Sequence, residues 1–252
     1  MLTKSAYRKF YDENRQTRNI KFDFKIEQLE KKSNFDVNKR SKLLKKYCLK
    51  KEKILEIGSG NGFLLKKLYE QGYDIRGIEI SQERRRISQI VSDAPVIDFD
   101  ILSETKSIGQ FDTVVMFQVL EHIVDPVEFL KKISKILKKN GKLIIEIPNV
   151  NDFQLKLNQI YRDWFWQKAH VSYFSAKVLS EILTRNKFQE VKISGIQRYS
   201  IENMFSWKLN GKPQAKKPSY NMPAEYDWID NHYKKYLEKK LICDTLIAIA
   251  KK

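Results

Sequence analysis

The sequence is poor in cysteine and histidine and has no long apolar run. It has only two cysteines, Cys48 and Cys243, which lie far apart in the chain. They form neither a disulfide framework nor the clustered ligands of a zinc site, so a reducing cytoplasmic location is expected. No apolar run approaches the roughly 18 residues of a membrane-spanning helix. Residues 1–10 lack the apolar stretch of a signal peptide. We therefore expect neither a membrane span nor a secretion signal.

Acidic side chains are also scarce, because 31 Asp and Glu face 48 Lys and Arg, a net charge of +17. The excess is concentrated in residues 1–53, which contain 17 basic and 7 acidic side chains. Such a region either attracts an anionic partner or forms a lysine-rich helix surface exposed to solvent. Since no motif for reading DNA or RNA accompanies the charge, nucleic acid is not expected as a partner.

From residue 53 onward, short apolar segments alternate with amphipathic ones. Strands are predicted over 53–57, 73–80, 95–99, 111–119, 142–147, 188–196 and 241–250. Helices are predicted over 63–69, 82–91, 127–139 and 176–186, with Ser81, Asp125 and Ser175 as N-caps and Asn140-Gly141 at the end of the third. This alternation predicts an α/β fold with a doubly wound, Rossmann-like sheet and right-handed crossovers.

Two stretches interrupt the alternation. Residues 149–174 are rich in aromatic side chains, and residues 200–240 are polar and contain three prolines. The lead-in over residues 1–50 is basic and has a helical pattern. We predict a basic helical N-terminal extension over 1–50 and one domain over 51–252, in which 149–174 and 200–240 are inserted lid segments.

Three glycines, Gly58, Gly60 and Gly62, lie between the first strand and the first helix. Glycine allows a sharp turn and a close approach of the backbone to a ligand. The spacing differs from the dinucleotide fingerprint and from the phosphate loop of ATP- and GTP-binding proteins. The turn therefore suits a ligand with an amino acid part and a ribose but no phosphate, and Glu56 is placed to orient the ligand's ammonium group.

Two further acids follow the next strands. Glu79 ends the second strand, where a carboxylate can accept hydrogen bonds from both ribose hydroxyls. Asp100 follows the third strand and could meet the exocyclic amine of an adenine. Either acid alone could simply cap a helix, but together around a glycine turn they predict a nucleoside site.

Residues 51–200 resemble a class I S-adenosylmethionine-dependent methyltransferase. The matching segments are LEIGSGNG (55–62), IEIS (78–81), FDTVVMFQVLEHIVDP (111–126), GKLIIEIPN (141–149) and HVSYFS (170–175). The last segment, followed by a helix and Lys187-Phe188, is similar to a subgroup that methylates small molecules, quinones or sugars. The resemblance implies a seven-stranded sheet with an antiparallel last strand, and S-adenosylmethionine as cofactor. It also implies these cofactor contacts: Gly58, Gly60 and Gly62 at the turn, Glu79 on the ribose, Asp100 near the adenine and Gln118 beside the cofactor.

Methyl transfer to a hydroxyl requires alignment of the acceptor and a general base. His122, just past the fourth strand, and His170, in the aromatic insertion, are the candidate bases, and Glu121 beside His122 is a further candidate catalytic residue. Each could instead hold its loop in place. Some relatives bind a divalent metal through Glu-x-x-Glu-His and a later ligand, but Gln118 occupies the first position here. Because an amide is a weaker ligand for a hard cation, no metal is expected.

The aromatic and basic side chains of the first insertion are candidates for binding the acceptor. They could stack on a sugar or base and pair with its phosphates, or form a small core of the insertion. The residues predicted to bind the acceptor are Tyr161, Arg162, Trp166, Lys168 and Tyr173.

The resemblance and these residues predict methyl transfer to an oxygen of a small sugar-like or phosphorylated acceptor, such as a surface-polysaccharide precursor. One alternative is an RNA methyltransferase, which would carry a base-flipping motif where Phe117-Gln118-Val119-Leu120 stands. The other alternative is a non-catalytic protein that binds the cofactor. The intact glycine turn and Glu79 favour the enzyme.

Overall fold

The structure, a computed structural model, describes residues 22–102, 108–212 and 219–252. Within them, the strands are β1 (Ile54–Ile57), β2 (Ile75–Ile78), β3 (Val96–Ile97), β4 (Phe111–Phe117), β5 (Leu137–Pro148), β6 (Gln189–Ile196) and β7 (Thr245–Lys251). The α-helices are α1 (Phe22–Tyr47), α2 (Phe63–Tyr69), α3 (Gln82–Val91), α4 (Pro126–Ile136), α5 (Gln159–Phe165), α6 (Ala176–Arg185), α7 (Ile201–Asn210) and α8 (Asp227–Lys240).

The strands form one seven-stranded sheet in the order β3-β2-β1-β4-β5-β7-β6. Strand β1 pairs in parallel with β2 and β4, and β2 pairs in parallel with β3. Strand β7 runs antiparallel to β6. All four residues of β1 are buried, as expected for a parallel strand covered on both faces. The predicted doubly wound sheet with an antiparallel last strand is confirmed.

Polar N-caps determine where two of the helices begin. The Ser81 hydroxyl accepts a hydrogen bond from the Arg84 backbone N–H, and α3 begins at the next residue. The Ser175 hydroxyl does the same for Val178 at the start of α6. Both caps were predicted from the sequence, because a short side-chain oxygen satisfies a backbone N–H that the first turn leaves unpaired.

The predicted C-terminal end of the helix over 127–139 is wrong. Helix α4 ends at Ile136, and β5 already begins at Leu137. Asn140, with a φ of 62°, and Gly141 therefore lie inside β5 instead of ending the helix. The burial of Leu137 and the ion pair between Lys138 Nζ and Asp112, at 2.8 Å, hold this segment in the strand. Lysine-rich sequence is compatible with either element, so only these contacts decide between them.

The chain divides into two compact units. Among the described residues, the first contains the chain up to Met116 together with Lys135–Lys142. In it, α1 packs against α2 and Leu44 of α1 is fully buried. The predicted boundary at residue 50 stays a prediction, and residues 1–21 of the predicted extension lie outside the described residues.

The second unit contains Phe117–Ser134 and Leu143–Lys252. Its two insertions have regular structure: the first contains α5, and the second contains α7 and α8, while residues 213–218 lie outside the described residues. A hydrophobic cluster of Tyr161, Phe165 and Trp207 joins α5 to α7. Nowhere in the described part of the chain is a helix both long and apolar enough to cross a membrane.

Candidate active site

The three glycines of the turn after β1 adopt a left-handed backbone, which glycine tolerates better than other residues. The φ angles of Gly58, Gly60 and Gly62 are 71°, 58° and 80°. The backbone N–H groups of Gly58 and Ser59 donate to the Ile78 carbonyl at 2.8 and 3.0 Å, which ties the turn to β2. A Cβ on Gly62 would clash with the Ser88 side chain, whereas a Cβ on Gly60 would meet no described atom within 4 Å. Gly62 is thus required for packing, and Gly60 leaves open space beside the turn.

Glu79 joins the end of β2 to this turn. One carboxylate oxygen accepts from the Gly60 N–H at 2.8 Å, and the other accepts from the Ser81 N–H at 2.9 Å. Although the residue is buried, each oxygen keeps a second lone pair. The carboxylate is therefore held in one orientation and can still accept hydrogen bonds from two hydroxyls of a ribose.

Glu56, on β1, is a buried acid in the same unit. Burial raises the pKa of its carboxyl to about 8, the Arg40 guanidinium opposes this rise and the charge of Glu79 adds to it. Among the described residues, its Oε2 has no hydrogen-bond partner. A buried carboxyl with a raised pKa and an unpartnered oxygen suits a cationic group of a ligand, because an opposite charge favours the ionised form of the carboxyl.

Arg40 of α1 is a residue that the sequence reasoning missed. Its positive charge opposes the rise that burial causes in the pKa of the Glu56 carboxyl. The sequence predicts residues 1–50 as an extension outside the domain, so Arg40 is not among its candidate site residues. A signal was available, since Arg40 lies one helical turn before Leu44, which is fully buried in the same unit.

Asp100 is half-buried just after β3, and its Oδ1 accepts from the Leu102 N–H at 2.9 Å. This bond orders the turn that leads to residues 103–107, which lie outside the described residues. Its predicted role near an adenine stays a prediction.

In the second unit, Gln118 comes directly after β4 with a φ of 57°. Its backbone N–H donates to the Glu146 carbonyl at 2.8 Å, and its Nε2 lies 3.3 Å from Glu146 Oε1. A positive φ at a residue other than glycine is unfavourable and persists only where neighbours hold it, often at a functional site.

The structure brings His122 and His170 together. Their ring centroids are 4.8 Å apart in an edge-to-face arrangement. His122 Nδ1 lies 2.9 Å from the Ala169 carbonyl oxygen. Because a carbonyl only accepts, Nδ1 carries the proton in the neutral ring, and Nε2 keeps the lone pair that a general base needs.

Two further hydrogen bonds tie the residues after His170 to the turn that follows β4. The Glu121 carbonyl accepts from the N–H groups of Val171 and Ser172, at 2.8 and 3.0 Å. Burial, reinforced by the nearby His122, lowers the pKa of His170 to about 4. His170 is therefore neutral at physiological pH. Its Nδ1 is buried, with no hydrogen-bond partner among the described residues.

Glu121, His122 and His170 also form a group that could ligate a metal, since their ligand atoms all lie within 4.8 Å of one another. Glu121 is fully buried. The expectation that the protein uses no metal stays a prediction and is tested below.

The predicted acceptor residues lie in one segment but differ in accessibility. Tyr161 is 2% exposed, and its hydroxyl donates to Asp152 Oδ2 at 2.6 Å. The Tyr173 hydroxyl accepts from the Gln167 N–H and donates to the Phe165 carbonyl.

Arg162 bonds within its own segment, to the Leu155 carbonyl at 3.0 Å and to Gln159. Trp166 is 47% exposed, and Lys168 is exposed as well. Tyr161 and Tyr173 thus support the insertion internally, while Trp166 and Lys168 are free to meet a ligand. The roles of all five in acceptor binding stay predictions.

The family profile described as a methyltransferase domain matches residues 27–193, about two thirds of the chain. The chain belongs to this methyltransferase family. The predicted identification as a class I S-adenosylmethionine-dependent methyltransferase is confirmed. The match begins within α1, so it includes part of the segment predicted as an extension.

Among curated relatives, the chain is similar to ubiquinone biosynthesis O-methyltransferases. It is 28% identical to that of Idiomarina loihiensis over 106 residues, which cover 40% of this chain and 44% of the relative. It is 26% identical to that of Pelagibacter ubique over 175 residues, which cover 64% of this chain and 70% of the relative. The chain thus spans less than half the length of the Idiomarina relative.

Solved methyltransferases share the fold. The magnesium protoporphyrin IX methyltransferase of Synechocystis, solved with bound S-adenosylhomocysteine, superposes with a TM-score of 0.60 at 14% identity. The superposition covers 99% of this chain and all of that chain. At this identity the likeness supports the methyltransferase fold alone.

Proposed function

We propose that the protein transfers the methyl group of S-adenosylmethionine to an oxygen of a small acceptor. The observation that carries this proposal is the Glu79 carboxylate, held at the glycine turn by the Gly60 and Ser81 N–H groups. This arrangement suits a ribose, and the family of the chain supports the chemistry. When bound, S-adenosylmethionine supplies an activated methyl group on a sulfonium.

The residues of the first unit fit this cofactor. Glu79 would accept from the ribose hydroxyls, and Gly60 leaves the space beside the turn open. Glu56, buried and only partly compensated by Arg40, would face the ammonium group of the methionine part. No phosphate-binding element is needed for such a ligand.

The acceptor that we propose is sugar-like or phosphorylated, such as a precursor of a surface polysaccharide. The exposed Trp166 can stack on a sugar ring, and the exposed Lys168 can pair with an anionic group. The names of the O-methyltransferase relatives support oxygen as the methylated atom.

His122 would remove the proton of an acceptor hydroxyl. The Ala169 carbonyl fixes its Nδ1 as the protonated nitrogen, so Nε2 is the basic one. His170 packs edge-on against His122 and stays neutral, so it orients the ring without adding a charge beside it.

The cofactor assignment predicts selective stabilisation. Adding S-adenosylmethionine or S-adenosylhomocysteine is expected to raise the melting temperature, because a ligand that binds only the folded state stabilises it. NAD and ATP are expected to leave the melting temperature unchanged. Differential scanning fluorimetry with the four ligands measures this. A shift with ATP and none with S-adenosylhomocysteine would contradict the proposal.

Cofactor binding is also expected to release a proton at Glu56. With a pKa of about 8, the Glu56 carboxyl is mostly protonated near pH 7, and a bound ammonium group would favour its ionised form. Isothermal titration in buffers of different ionisation enthalpy counts the protons released. Glu56→Gln is expected to release fewer protons than the wild type. Equal release in both would exclude the contact between Glu56 and the ammonium group.

Activity is expected to survive chelation. Gln118 occupies the position at which a metal-binding relative would have a carboxylate, and this weakens the site for a hard cation. Turnover after dialysis against EDTA, together with the metal content of the purified protein, tests this. Loss of turnover that Mg²⁺ or Zn²⁺ restores would assign Glu121, His122 and His170 as metal ligands instead.

A further inference from the structure

The second unit contains a buried polar network that shares only Tyr161 with the candidate site described above. Its centre is Asp152, which is 1% exposed. Asp152 Oδ2 accepts from the Tyr161 hydroxyl at 2.6 Å, and Oδ1 accepts from the Gln154 N–H at 2.9 Å. The Gln154 Nε2 in turn lies 3.4 Å from the Tyr161 hydroxyl. We call the following residues the Asp152 network: Asp152, Gln154, Tyr161, Arg198, Asn203, Asp230, Tyr233, Lys234 and Asp244.

Negative charge is in excess in this network. Asp244 pairs with Arg198 at 3.1 Å, and Asp230 pairs with Lys234 at 2.8 Å. The third buried acid, Asp152, forms no ion pair among the described residues, and the charge of Arg198 only partly offsets its own. Burial and the charge of Asp244 raise the pKa of Asp152 to about 7. Three buried carboxyls therefore share two cationic side chains, and with Asp152 about half ionised near pH 7 the network carries a small net negative charge that disfavours an anion.

Three polar atoms of the same region are buried, with no hydrogen-bond partner among the described residues. They are Gln154 Oε1, Asn203 Oδ1 and the Tyr233 hydroxyl. Gln154 and Asn203 are 0% and 1% exposed. Buried polar atoms in native proteins normally have partners, so each of these three atoms lacks a partner that a ligand or water could supply. Two of the three are carbonyl oxygens, which can only accept a hydrogen bond.

These atoms belong to the same network as the acids. Burial and the charges of Asp152, Asp244 and Asp230 raise the pKa of the Tyr233 hydroxyl, which keeps it protonated. Asn203 lies in the first turn of α7, and the preceding Ile201 N–H donates to Asp230 Oδ1 at 2.8 Å. Arg198 follows β6 and Asp244 precedes the antiparallel β7, so both lie at one edge of this pair of strands. In open α/β sheets, ligands bind at the carboxyl edge, which is where β6 ends.

We propose that the Asp152 network binds a hydrogen-bond donor group of the methyl acceptor, a hydroxyl or an ammonium, and excludes anionic groups. This inference rests on the proposed function and narrows its acceptor class. The two unpartnered carbonyl oxygens require donors, and the excess of carboxylates favours a neutral or cationic group over a phosphate. A phosphorylated acceptor is therefore disfavoured relative to a neutral or cationic one.

Sugars that share one ring but differ in charge test the proposal. The full-length protein, saturated with S-adenosylhomocysteine, is titrated with D-glucosamine, D-glucose and D-glucose 6-phosphate, and binding is followed by ligand-observed NMR. We expect glucosamine and glucose to bind, with glucose 6-phosphate at least about tenfold weaker because of like-charge repulsion. Tyr233→Phe is expected to weaken glucosamine binding by about fivefold, the effect of one hydrogen bond.

Tyr236→Phe is the matched control, because Tyr236 lies on the same helix and is 60% exposed. It should leave sugar binding unchanged. The melting temperature of each variant separates a lost contact from a folding defect. Asn203→Leu, which removes the Oδ1 acceptor, is a second and independent variant for the same binding test.

Equal binding of glucosamine and glucose 6-phosphate, or equal affinity in the wild type and Tyr233→Phe, overturns the inference. If S-adenosylhomocysteine binds but no sugar does, the network is an internal polar core that holds water. The inference then fails and the proposed function stands. If S-adenosylhomocysteine itself does not bind, the proposed function fails and this inference fails with it.

Discussion

Replacing His122 with asparagine is expected to lower kcat on the true acceptor by roughly 10²–10⁴-fold, the usual contribution of a general base. Asparagine cannot take a proton, but its amide can still donate to the Ala169 carbonyl that now holds the ring. The affinity for S-adenosylmethionine should hold, which separates a lost base from a damaged cofactor site. Steady-state kinetics and isothermal titration on the same preparation measure both quantities.

The pH profile identifies which histidine acts. Because the pKa of His170 is lowered to about 4, His170 does not titrate between about pH 6 and 8, where an ordinary imidazole does. A rate that rises with pH in this window therefore reports a base other than His170. His170→Asn is expected to reduce kcat less than His122→Asn, since it removes only the packing against the His122 ring.

A double variant of His122 and His170 with near-normal kcat would rule out the base mechanism. That result would favour an acceptor whose oxygen is already anionic, as on a phosphate, because no proton then has to be removed. The pH profile would be shallow, and Lys168→Ala would raise the KM for the acceptor more than either histidine variant does.

Glu79→Ala is expected to weaken S-adenosylmethionine binding by about 1.5–3 kcal/mol, the scale of hydrogen bonds to a charged group. The substitution removes the acceptor for the ribose hydroxyls. It also removes the two bonds that hold the turn at Gly60 and Ser81. Isothermal titration with S-adenosylhomocysteine measures the loss directly.

Two comparisons make this result specific. Glu70→Ala removes an exposed acid from the same unit and should leave cofactor affinity unchanged. Glu79→Gln keeps the shape of the side chain but removes its charge, so it is expected to retain part of the affinity. If Glu79→Ala binds S-adenosylhomocysteine as tightly as the wild type, Glu79 does not accept hydrogen bonds from the ribose hydroxyls.

Local patterns in the sequence determined much of the fold and the cofactor side of the site. The buried run of β1, the glycines after it and the capping residues Ser81 and Ser175 each act on their own turn or strand. Their effects depend on backbone conformation and on neighbours a few residues away, and these can be read from the sequence. The position of the turn after β1 and the start of α3 follow from them.

The tertiary structure decided what local patterns leave open. Lysine-rich residues 137–142 fit a helix or a strand equally well, and tertiary contacts, the burial of Leu137 among them, decide for the strand. Arg40 became part of the site only because α1 packs on α2 and brings its charge to Glu56.

The tertiary structure also decided the protonation and accessibility of the candidate catalytic side chains. The sequence alone determined that His122 and His170 are available, together with an aromatic insertion and a glycine turn that suits a nucleoside. Only the fold placed the two imidazoles 4.8 Å apart, protonated His122 at Nδ1 through Ala169 and buried His170 so that it stays neutral. It also bonded Tyr161 to Asp152 instead of leaving it exposed to an acceptor. Proton affinity and accessibility depend on neighbours distant in the chain, so no local pattern can specify them.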